Sequence, residues 1–161
     1  MNALTSLRLA VAAGALVVAC GVDARNVGHM VPVAPSLAAA RVAGDIADIE
    51  FAFGSASAHG AEIVGGAISV QGVATHLAEA HGFKPTDDEA CDNALRDALK
   101  RLSEAARSAG GRAVVGIVST YNGATIDDPA QVECRLGSAK VPVPLSGVIA
   151  RSLPAPAAAA K

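Results

Sequence analysis

Cysteines and histidines are the side chains in this sequence with the most chemistry within reach. Cys91 and Cys134 are a candidate disulfide if the chain matures in an oxidising compartment. A bridge closing that loop would stabilise the fold by on the order of 4 kcal/mol. The other reading is two buried free thiols. A metal site on the same two cysteines would need further ligands brought in by the fold. His76 and His81 are five residues apart, with Glu79 between them and Asp87, Asp88 and Glu89 downstream. On a loop this set would converge on a transition metal such as Zn or Cu. On a helix a spacing of five does not share a face as a spacing of four does. The plainer reading of His29, His59, His76 and His81 is four solvated histidines. Asp127-Asp128 would serve as a carboxylate pair or as weak calcium ligands, but beside Pro129 it reads better as a turn.

Catalytic patterns with a fixed spacing do not occur. There is no Gly-x-Ser-x-Gly elbow, no His-Glu-x-x-His and no Cys-x-x-Cys. No Gly-Lys pair exists, so the phosphate cradle of an ATPase is ruled out. The formal net charge is −2, which implies no basic face and makes nucleic acid an improbable partner. There is no Trp, one Tyr and three Phe, which argues against base stacking. The core must instead be built from Ala, Val, Leu and Ile, whose small side chains require elements to approach closely.

The N-terminus points to an address. Asn2 to Arg8 carries one positive charge, Leu9 to Ala19 is an uncharged apolar run, and Val22-Asp23-Ala24 places small residues where a signal peptidase reads. That layout is a removable secretory signal, and the run is too short to span a bilayer. Residues 1–24 are read as this signal, leaving a periplasmic or secreted protein. Val17-Val18-Ala19-Cys20 also fits a lipoprotein cleavage box, which would anchor the chain to a membrane through a lipidated Cys20. A third reading makes the run a core helix.

Residues 25–150 are expected to form one domain. In its first stretch, Pro32 and Pro35 favour extended backbone and Ser36 is a candidate cap for a short helix through Arg41. Asp45 to Gly54 suggests a strand. Ser55 to Gly82 is rich in glycine and reads as loop, a possible short strand, then loop. The clearest element is a helix over Thr86 to Ala109. Thr86 and Glu89 form a capping box, Asp87 and Asp88 complement the dipole, and Gly110-Gly111 stops the helix. Its apolar stripe includes Cys91. Arg112 to Tyr121 reads as a buried strand, Asn122-Gly123 and Asp128-Pro129 as turns, and Gln131 to Ala150 as strand with Cys134, Leu136 and Val132 on one side. Pro142 and Pro144 place its later part at an edge or outside a ladder. Residues 151–161 are a Pro/Ala-rich tail expected to be disordered. The fold class is therefore α+β: a two-layer β-α-β-β domain with one long helix packed on a small mixed or antiparallel sheet.

The helix, then Ala109-Gly110-Gly111-Arg112-Ala113-Val114-Val115-Gly116-Ile117, then Leu136-Gly137-Ser138-Ala139, resembles the YbjQ-like heavy-metal-binding domain family. Phe51-Ala52-Phe53-Gly54, Asp87 to Cys91 and Glu133-Cys134 extend the resemblance to exported relatives that go under the name excinuclease ATPase subunit. The resemblance implies a homo-oligomer, commonly a ring, and a metal ligand. The excinuclease name implies ATP chemistry that this chain has no residues to perform. The resulting expectation is a non-enzymatic envelope protein, an oligomeric binding module holding heavy metal with His76 and His81 as ligands. The alternative is a structural or interaction domain without a small ligand, exposing an apolar oligomer surface on an edge strand near Pro142–Val148.

Overall fold

The computed structural model describes residues 26–46, 48–75, 77, 82 and 84–154. The expected signal, Cys20, His76, Glu79, His81 and the tail from residue 155 lie outside them.

Among the described residues, seven strands and two helices follow one another as β1 (Asn26–Pro32), α1 (Val33–Val42), β2 (Glu50–Phe53), β3 (Ile63–Thr75), α2 (Asp87–Ser108), β4 (Ala113–Tyr121), β5 (Ala124–Ile126), β6 (Gln131–Gly137) and β7 (Lys140–Ala150). A short 3-10 turn, Ser55–Ala58, sits between β2 and β3. The fold is α+β, with the long helix on a mixed sheet.

Helix α2 forms where its signals stand. The Thr86 hydroxyl accepts from the Glu89 N–H at 3.2 Å, and the Glu89 carboxylate accepts from the Thr86 N–H at 2.8 Å. The reciprocal box satisfies donors that have no partner inside the helix. At the other end Gly110, with φ of 72°, takes the left-handed position that follows a helix. Gly111 N–H then returns to the Ala106 carbonyl at 2.9 Å and Gly110 N–H to Arg107 at 3.0 Å, a Schellman closure. Between the caps, Cys91, Leu95, Leu99 and Leu102 are fully buried.

The main sheet runs β2-β4-β7-β3, with β5 folding back on the end of β4. β2 and β4 are parallel; β7 is antiparallel to both β4 and β3. The β4–β5 hairpin turns on Asn122 (φ 48°) and Gly123 (φ 80°). Two consecutive positive φ values match the twist of the flanking strands. β1 and β6 form a separate antiparallel ribbon. The ribbon is tied to the main sheet by the Ser119 hydroxyl, which accepts from Glu133 N–H at 2.8 Å.

Four expectations need correction. The glycine-rich stretch holds a strand of 13 residues, not a short one. Gly72 explains one of its glycines: a Cβ there would come within 2.0 Å of the Ala94 carbonyl oxygen, so the strand lies directly on the α2 backbone. The segment after Gly44 is extended only over Glu50–Phe53. Ser36 does not cap α1: the helix starts earlier, at Val33, with Pro35 in the first turn, where backbone donors have no helical partner to lose. Finally, β7 lies between β4 and β3, so its Leu145–Val148 part is paired on both sides and is not an edge, and Val143 and Leu145 are fully buried. Its pairing with β4 reaches no further than Ser119↔Leu145, so Pro142 and Pro144 lie beyond that ladder and cost it no hydrogen bond. The uncovered edge of the main sheet on this side is β3.

Candidate functional site

Cys91 and Cys134 are bonded, with Cα atoms 5.8 Å apart and both residues fully buried. The bond joins the first turns of α2 to the middle of β6. Cys134 stands directly across the ribbon from His29 of β1. A cleft of about 610 Å3 opens over this junction. One wall is β1 and the start of α1, from His29 to Ser36; the other is Asp88, Glu89 and Asp92 of α2.

The side chains of the two walls meet at two places. His29 Nε2 lies 2.8 Å from Asp88 Oδ1 at the exposed rim. Deeper, the buried Ser36 hydroxyl donates to Asp92 Oδ1 at 2.5 Å. Asp92 Oδ2 is also 3.0 Å from Arg96 Nε, one helical turn on. Hydrogen bonds from the Thr86 backbone, then from the Thr86 hydroxyl, hold the Glu89 carboxyl below its ordinary pKa. It stays ionised at neutral pH. Met30, Val31, Pro32 and Pro35 give the opposite wall an apolar surface. A smaller recess of about 270 Å3, bordered by Thr75, Pro85 and Arg96, shares Glu89 and Asp92 with the cleft.

The remaining candidates have local duties. Asp127 accepts from the Ser55 N–H at 2.7 Å and from the Ser55 hydroxyl, and these bonds hold its carboxyl below the usual range. Asp128 accepts from the Ala130 and Gln131 N–H groups at 2.7 and 3.1 Å, which is the turn expected beside Pro129. His59 is exposed just after the 3-10 turn. The expected metal pair, His76 and His81, lies outside the described residues. Among the described residues no group of three or more His, Cys, Asp or Glu side chains is placed to hold a metal ion. No helix among them is long and apolar enough to cross a membrane.

Sequence reasoning reached one wall of the cleft but read it as helix capping; on the other it read His29 as a solvated histidine and Ser36 as a cap, without bringing the two walls together. Met30, Ser36 and Asp92 belong to no short motif. The one available signal was the pair of prolines bracketing Val33-Ala34, which marked a rigid corner without saying what it faced. No family model, curated protein or solved structure matches the chain.

Proposed function

We propose that the chain is an exported envelope protein, periplasmic or secreted, that works as a non-enzymatic binding module, with its ligand seated in the cleft between β1 and α2. The observation that carries this reading is the cleft itself. It has the volume of a ligand site, one apolar wall, one wall with a few convergent polar groups, and a disulfide that ties α2 to the strand paired with β1. The disulfide supports an address outside the reducing cytosol. A binding role is favoured over catalysis because Glu89 is held by the helix cap and Asp92 by Ser36 and Arg96, while His29 and Asp88 form a surface pair at the rim. A general acid or base needs a side chain aimed at substrate instead.

The resemblance to YbjQ-like domains adds two parts to the proposal: assembly as a homo-oligomer, and a transition metal held with His76 and His81. Native mass spectrometry on chelator-free protein from its own compartment tests both. An oligomer mass with whole-number metal occupancy is the expected result; a bare monomer would reject both parts. The cleft is tested by protein-observed NMR with a fragment collection. Shifts concentrated at residues 29–36 and 88–92 are expected, and shifts scattered over the surface would remove the cleft as a site.

A further inference from the structure

We infer that the cleft receives an extended peptide segment carrying a lysine or arginine, with the peptide backbone added to the free edge of β1. The inference rests on the binding-module reading and names the ligand class for that site.

The first support is geometric. Four consecutive residues, His29 to Pro32, border the cavity. Successive side chains of a strand point to opposite faces, so a cavity that meets four in a row runs along the strand's edge rather than across one face. β1 pairs with β6 on one side only, and its ladder carries no second partner. An edge presents a row of backbone donors and acceptors, which is what strand-adding peptides bind. The facing wall is formed by the first turns of α2, whose Asp88 meets His29 at the rim.

The second support is charge. Asp88, Glu89 and Asp92 line the cleft, and the basic side chains that meet them are Arg96, beside Asp92, and His29, beside Asp88. The N-terminal end of a helix contributes only about half a positive charge. The acidic wall therefore outweighs the dipole, and a cation is the complement. Met30 and Pro35 opposite offer apolar surface on which the methylene stem of Lys or Arg would lie, its charged head reaching Asp88 and Asp92. Backbone amides for the strand edge, an aliphatic stem for the apolar wall and a cationic head for the carboxylates are combined in an extended basic peptide. A simple polyamine has the charge but not the backbone.

The test is a titration of the full oxidised, isotope-labelled chain with three probes: the pentapeptide acetyl-Ala-Val-Lys-Val-Ala-amide, its Glu counterpart, and spermidine. The Lys peptide is expected to shift residues 29–32 and 88–92, slow amide exchange along β1, and bind roughly tenfold tighter than the Glu peptide, the scale of one charge-assisted contact. Asp88→Asn with Asp92→Asn should erase that preference. Asn keeps an acceptor for Ser36, and an unchanged circular dichroism spectrum would show the fold intact. Equal binding of both peptides in the cleft would overturn the cationic specificity and leave the cleft as a binding site. Spermidine binding as tightly as the Lys peptide, with no slowing of β1 amides, would overturn strand addition. Silence from all three probes at millimolar concentration would overturn this inference, and the binding-module reading would then stand or fall on the fragment titration.

Discussion

Cys91 shows how much one side chain does here. It occupies the apolar stripe of α2 between Glu89 and Asp92, and its bond to Cys134 holds the ribbon against the helix. Cys91→Ser should lower stability by about 4 kcal/mol in urea melts under oxidising conditions, from released chain entropy. An unchanged midpoint would mean the bond does not constrain the chain. Glu89 makes a different claim, about pH. Its folded pKa is depressed by the Thr86 bonds, so its contribution is complete above the ordinary glutamate value. That contribution is lost as pH falls from there through the depressed value. Asp48, held by Arg107, and Asp127, held by Ser55, are shifted in the same direction and add to the same acid slope. Glu89→Gln should therefore flatten the loss of stability with acid, as read from melting temperatures across the acidic range. A slope identical to that of the parent would show the capping carboxylate carries none of it.

At the level of elements, β3 and α2 are a matched pair. Helix α2 was legible almost to the residue because caps, charge and stripe all agreed. β3 was not, because its glycines read as loop, whereas the cause of one of them, Gly72, lies elsewhere in the chain. The Ala67–Thr75 run is held by pairing with β7, and Gly72 is small because the Ala94 backbone leaves no room for a side chain. Periodicity within a segment cannot show a constraint imposed by a helix twenty residues away. Gly72→Ala should accordingly cost about 1–3 kcal/mol or more, as overpacking against backbone does. A denaturation midpoint like the parent's would refute the close approach. The open edge of β3 is guarded at one point: Val73 donates its N–H to Asp97 Oδ2 at 3.0 Å, and Asp97 is steadied by Arg101 at 2.9 Å. Edge donors left free invite pairing with other chains. Asp97→Ala should raise concentration-dependent self-association above that of the parent in analytical ultracentrifugation. Identical sedimentation would make the contact incidental.

For the whole molecule, the layers and the disulfide were legible in the sequence, whereas sheet order and the cleft were not. Pro142 and Pro144 suggested an outer strand by their chemistry. In the assembled sheet β7 lies between β4 and β3, and the prolines stand outside its ladder with β4, the second position their chemistry allows. The cleft is drawn from two stretches more than fifty positions apart in the chain, His29–Ser36 and Asp88–Asp92, and only the β1–β6 ribbon folded against α2 makes them opposite walls. Because the Cys91–Cys134 bond ties α2 to the β1–β6 ribbon, reduction should loosen the two walls together. Hydrogen exchange in the presence of a reductant is expected to speed up across β1, β6 and the first turns of α2, ahead of the β4–β7 core. Uniform acceleration over the whole chain would show one cooperative unit instead. The same bond has a consequence in time. If the chain is exported as proposed, a copy still held in a reducing cytosol would lack the covalent tie between α2 and the ribbon, so its capacity to bind would switch on only after transit, once oxidation has occurred. Maturation and competence would then be a single event, and a newly made copy would not capture its ligand on the wrong side of the membrane.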